Sequence, residues 1–205
     1  RGSIVVDGCF CTNVKSVFAA GDVVGFPALA STSMEQGRVA VCHMFGFTYK
    51  QNIATLLPMG VYTIPEVSAV GVAEEDAVAQ GRKVVVGRGP YALNARGKII
   101  GDTRGMVKLV FDATTRVLIG AHVIGDRATE LVHTGQAIIG LGGTVDFMVG
   151  MVFNYPTLSE CYKDAAYDVC ETALPDTHFQ RWDEIKHNIL IGWVDVDDGE
   201  RGLAV

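Results

Sequence analysis

The chain has 205 residues, 49% of them apolar, 8% aromatic and 20% charged, with a formal net charge of −6. This is ordinary water-soluble composition, long enough to bury the core of one large or two small domains. No basic cluster occurs, and no apolar run reaches the roughly 18–20 residues of a spanning helix, so neither nucleic acid nor a membrane is an expected partner.

The first readable elements are Ile4–Asp7 and Ser16–Ala20, short Val- and Phe-bearing runs expected to be strands. The second run ends in Gly21-Asp22, which places a carboxylate at the carboxyl edge of a strand, where open α/β sheets bind ligands. The same two residues also suit a plain turn. A loop follows, then a helix running to about Phe45, with Thr32 and Glu35 spaced as a capping box. A helix amino-terminus directly after a strand-end carboxylate suits an electron-rich ligand group.

Residues 49–58 read as a linker. Beyond it, Val61–Ile64 and Ser68–Gly71 read as strands, Glu74–Gln80 as a helix stopped by Gly81, and Val84–Pro90, Asn94–Ile100, Met106–Phe111 and Val117–Ile124 as strands of an antiparallel meander. Asp126 is placed to cap a helix whose apolar positions run from Ala128 to Ile139. A last helix is expected from Thr157, led by Pro156, with Leu158, Cys161, Tyr162, Ala165, Val169 and Ala173 on one face and a second capping box, Thr157 with Glu160.

The terminal stretch is different. Between 176 and 205 it holds seven acids against three bases, and the chain's only tryptophans, Trp182 and Trp193. The five cysteines form no Cys-x-x-Cys pair and no zinc spacing, which fits a reducing cytoplasm. The chain opens at Arg1 without a methionine, and a piece of a longer protein is expected.

Three stretches carry a resemblance: SVFAAGDVVGFPALASTSMEQGR, YTIPEVSAVG, and VLIGAHVIGDRATELVHTGQAI followed by FNYPTLSE. Together they resemble the carboxyl-terminal part of the flavin-dependent pyridine nucleotide–disulfide oxidoreductases. The resemblance covers about residues 1–174 and implies an α+β architecture. Residues 1–57 would be a partial FAD-binding α/β segment. Residues 58–174 would be a dimerisation domain with an antiparallel sheet and helices packed on one side, and 175–205 an acidic tail.

By position, Asp22 would accept a hydrogen bond from the ribityl chain of FAD, and Leu29 and Ala30 would bring a helix start to the flavin. Disulfide-reducing members carry His-Pro-Thr with a glutamate five residues after the histidine. Here Tyr155 holds the histidine position and Glu160 the glutamate. A phenol with an ordinary pKa near 10 is a poor base at neutral pH. Tyr155 and Glu160 are therefore weak catalytic candidates, and Glu160 also reads as a helix-capping acid. Phe-Asn-Tyr-Pro-Thr is similar to the transhydrogenase branch, which passes hydride between NADPH and NAD through FAD without a redox disulfide. A disulfide or metal-ion reductase is the alternative reading, and a dimerisation module without catalysis is a third. The resemblance implies a homodimer.

Overall fold

The computed structural model describes residues 2–173. The expectations for the acidic tail lie outside the described residues. In chain order the elements are α1 (Ala30–Met44), β1 (Met59–Val61), β2 (Val67–Gly71), α2 (Glu74–Ala79), β3 (Val84–Pro90), α3 (Ala95–Ile100), β4 (Met106–Asp112), β5 (Leu118–Ile124), α4 (Ala128–Gly140), α5 (Val145–Gly150) and α6 (Glu160–Ala173).

The five strands form one sheet of order β1-β2-β5-β4-β3, every pair antiparallel. Alternation along β4 sends Val107, Leu109 and Phe111 to the face covered by α4 and α6. Lys108 points the other way and pairs with Glu74 of α2 at 2.7 Å. The two long helices thus share one face, as the resemblance implies. Glycine makes the close packing of α6 possible. A methyl group on Gly87 or Gly89 would strike the backbone carbonyls of Ala165 or Cys161. Tyr162 ties the two helices together. Its hydroxyl donates to Leu131 O at 2.8 Å and accepts from Gly135 N–H at 3.2 Å. Burial pushes its phenol far above the ordinary range.

Several expectations fail locally. Ile4–Asp7 and Ser16–Ala20 are not strands; only an isolated bridge joins Cys11 to Phe18. No strand among the described residues lies beside them to complete a ladder. Residues 94–100 form a helix instead of a strand. Asn94 caps it, accepting from Arg96 N–H at 2.9 Å and Gly97 N–H at 3.1 Å. Gly97 lies close against Tyr91, which a strand's larger side chains would not permit.

The three expected caps are also absent. Helix α1 starts before Thr32, which lies within its first turn. Residue Arg127, in the left-handed region at φ 58, precedes α4, and the first-turn Thr129 is held by Glu66. That carboxylate accepts from Thr129 N–H at 3.1 Å and from its hydroxyl at 2.8 Å. Helix α6 begins at Glu160, and the Thr157 hydroxyl donates to Asn154 O at 2.7 Å. A capping pattern fixes spacing only, and here a tertiary partner or a local turn took the donor.

Candidate functional site

The candidate residues fall in two places. The first is the turn leading into α1. Gly21 has φ 86 and ψ −157, a conformation open to glycine alone. Its N–H donates to Gln36 Oε1 at 2.6 Å. Since Gln36 belongs to α1, this bond fixes the Gly21-Asp22 turn against the helix. Asp22 then opens a one-turn 3-10 helix with its carboxylate exposed.

Leu29 stands at the helix entry in an extended conformation, and no side chain caps it. Its carbonyl accepts from the Ser33 N–H at 2.8 Å and the Ser33 hydroxyl at 2.9 Å. The N–H groups of Ala30, Ser31 and Thr32 find no acceptor among the described residues. A 15-residue helix carries about half a positive charge at this end. Thr32 is 1% exposed, and its hydroxyl is buried without a partner. A buried hydroxyl of this kind costs about 1–3 kcal/mol unless something satisfies it. Four residues before the helix, Phe26 is 97% exposed. An outward carboxylate, an uncapped helix start, an orphaned hydroxyl and a bare aromatic ring fit a large polar aromatic ligand with an electron-rich edge. The sequence offered no signal for Thr32 in this role; its spacing pointed to a cap.

The second place is the loop before α6. Asn94 Nδ2 donates to Thr157 O at 3.0 Å, and Arg96 Nε donates to Pro156 O at 3.1 Å. So α3, the helix that sequence reading took for a strand, presents Tyr155-Pro156-Thr157. Tyr155 is 74% exposed, and no hydrogen bond joins it to Glu160. The structure therefore holds the Gly21-Asp22 turn against the helix that Leu29 and Ala30 open, and forms no hydrogen bond between Tyr155 and Glu160. Burial raises the Asp164 carboxyl, and Glu160 adds to it; burial also pushes the Cys161 thiol up to about 12. Cys161 is thus a neutral packing residue at pH 7.

Residues 57–166 match the model of the pyridine nucleotide-disulphide oxidoreductase dimerisation domain. The chain belongs to the pyridine nucleotide–disulphide oxidoreductase family. Within that family it is 49% identical over 181 residues to proteins named soluble pyridine nucleotide transhydrogenase from Mycobacterium bovis and Mycobacterium tuberculosis. It is 42% identical over 169 residues to one from Marinomonas. The first alignments cover 88% of this chain but 38% of the relatives, so the chain spans about two-fifths of their length.

Among solved structures, the HOCl-induced flavoprotein disulfide reductase RclA from Escherichia coli superposes with a TM-score of 0.75 at 27% identity. That match covers 82% of this chain and 39% of RclA. LpdA from Mycobacterium tuberculosis gives 0.72 at 31% identity, over 82% of this chain and 37% of its own. The family's dimerisation domain is thus the five-stranded sheet with α4 and α6. Among the described residues no helix is long and apolar enough to cross a membrane, and no group of side chains could hold a metal ion.

Proposed function

We propose that this chain works as part of an FAD-dependent oxidoreductase that transfers hydride between NADPH and NAD. The observation that carries this reading is the 49% identity to proteins named soluble pyridine nucleotide transhydrogenase. In this reading residues 1–57 are a piece of the FAD-binding domain, 58–174 form the dimerisation domain of a homodimer, and 175–205 are an acidic tail. All five cysteines are free thiols, which supports a cytoplasmic setting.

FAD, when bound, supplies the hydride acceptor and donor. The protein's part is to hold it. Asp22 would take a ribityl hydroxyl, while Leu29 and Ala30 deliver the uncapped end of α1 to the electron-rich edge of the ring. NAD(H) and NADP(H) are the substrates of the whole enzyme. Hydride passing between two nicotinamides needs no thiol base, and Tyr155 at the family's histidine position agrees with that. Glu160 has no histidine to pair with, which agrees with the same reading.

The likeness to RclA supports a second reading, a flavoprotein disulfide reductase. Assaying the purified full-length enzyme against both acceptor classes separates the two. NADPH oxidation coupled to reduction of an NAD analogue is expected, with no NADPH oxidation on a small disulfide. The reverse pattern would reject the transhydrogenase reading. The 205-residue chain by itself is expected to dimerise without retaining flavin. Flavin absorbance that stays with it through gel filtration would overturn that expectation.

A further inference from the structure

Residues 151–159 lie outside every helix and strand, yet side chains hold four of their carbonyls. Lys163 Nζ donates to Met151 O at 2.8 Å and the Thr157 hydroxyl to Asn154 O at 2.7 Å. Arg96 Nε donates to Pro156 O at 3.1 Å and Asn94 Nδ2 to Thr157 O at 3.0 Å. The last two donors lie 60 and 63 residues away in the chain. A carbonyl on a surface loop can turn to water instead. Fixing a lysine and an arginine on such carbonyls costs rotamer entropy that water would not.

Asn94 is the tightest joint. It is 4% exposed, and both ends of its amide are used. Its Oδ1 accepts from the Arg96 and Gly97 N–H groups at 2.9 and 3.1 Å, while Nδ2 grips Thr157 O. One side chain thus starts α3 and holds the loop. Helix α3 is fixed in turn, because Gly97 lies against the fully buried Tyr91.

The side chains of the loop divide. Met151 and Phe153 pack against the domain core. Val152 and Tyr155 point away from it, 91% and 74% exposed in the single chain. The place of the Tyr155 ring is therefore set through the backbone.

We propose that Asn94, Arg96 and Lys163 are positioning residues, which hold the loop in one shape so that Tyr155 stands in a single place for hydride transfer. This rests on the reading of the whole protein as a hydride-transferring flavoenzyme, with the loop as the second of its two candidate sites.

The clamp is read first in the 205-residue chain, by backbone amide order parameters from NMR relaxation. About 0.85 marks rigid backbone and less than about 0.6 a flexible one. The amides of Val152, Phe153, Asn154, Tyr155 and Thr157 are expected at the rigid level. Asn94→Asp separates the clamp from the helix cap. Its carboxylate still accepts from the Arg96 and Gly97 N–H groups, but sets an oxygen against Thr157 O. Asn154, Tyr155 and Thr157 should become flexible in Asn94→Asp and in Arg96→Leu, while the amides of α3 and α6 stay rigid. Lys163→Met should loosen Val152 and Phe153 first.

The second readout is the full-length enzyme. Losing one tie should lower kcat for hydride transfer from NADPH to an NAD analogue about twofold to tenfold, the range of one net hydrogen bond. KM for NADPH and flavin per subunit should stay as in the parent. A loop that is flexible in the parent chain, or that ignores Asn94→Asp and Arg96→Leu, would overturn the clamp. A loop that loosens while kcat holds, or variants that lose flavin or raise KM instead, would overturn the positioning role. A parent enzyme that passes no hydride between the nucleotides rejects the function itself, and the order parameters still decide the clamp.

Discussion

The stretch before residue 58 and the domain after it are built on opposite terms. From Val70 to Cys170 one continuous core runs between the sheet and α4, α5 and α6. Before residue 58 the buried apolar residues are Val39, Ala40 and Cys42 of α1, and none of them belongs to that core. Val5, Phe26 and Tyr49 there are 86, 97 and 80% exposed. Buried polar atoms without a partner occur on both sides, Thr32 Oγ1 before residue 58 and Arg116 Nε and His122 Nε2 after it. Tyr162 is satisfied inside the domain. One region spends its side chains on its own stability. The other holds its outward groups ready for something else to complete them.

Substitutions can break that contrast or sharpen it. The largest effect is expected at Gly89. A valine there meets the backbone of Cys161, which cannot give way as a side chain would. A loss of about 3 kcal/mol or more is expected, or no folded protein, read by urea unfolding. Leu109→Ala comes next, at about 2–5 kcal/mol for a fully buried leucine. Its counterpart Val39→Ala, also buried, should leave the main cooperative transition in place, since α1 stands outside the core. If Val39→Ala lowers that transition as much as Leu109→Ala does, the two regions are one folding unit and the contrast fails.

Tyr162→Phe removes one hydroxyl and leaves Leu131 O and Gly135 N–H without it, for about 1–3 kcal/mol. Asp22→Ala should barely move the stability of the 205-residue chain, within about 0.5 kcal/mol for an exposed side chain. In the full-length enzyme the same change should lower the flavin bound per subunit, measured by absorbance. Unchanged flavin content would remove Asp22 from the cofactor site.

The smallest effect is a pH dependence. Asp112 accepts from the Thr115 N–H and hydroxyl and from the Thr114 N–H, and Arg82 lies beside it. The Thr115 bonds hold its carboxyl at about 2, below the ordinary range. A depressed carboxyl stabilises the fold above its unfolded value near 4, and that contribution fades as pH falls toward about 2. Asp112→Asn should therefore reduce the difference in stability between pH 5 and pH 2, read by denaturant unfolding at each pH.

Much of the domain was legible in the sequence. Period-two runs marked β4 and β5, and period-three-and-four runs marked α4 and α6, because each element buries one face against the same core. Gly21-Asp22 could be picked out because glycine and a carboxylate at a strand-like end are rare enough to be noticed. What the sequence could not show was decided by partners distant along the chain. Residues 94–100 end in two β-branched residues, Ile99 and Ile100, yet Ala95–Ile100 fold as a helix because Asn94 caps it and Gly97 fits against Tyr91. Thr32, Asp126 and Thr157 have the spacing of caps, but none caps its helix: Glu66 holds Thr129, the Thr157 hydroxyl donates to Asn154 O, and the first N–H groups of α1 are left open.

The Val17–Ala20 run has strand chemistry and no neighbouring strand among the described residues, so its composition could not make it one. By itself the sequence determined which residues must be buried, since hydrophobic periodicity is a local property. Which polar groups are left reaching outward, as at the start of α1, was decided by the tertiary structure. A hydrogen bond needs its second partner brought into place, and only the folded chain does that.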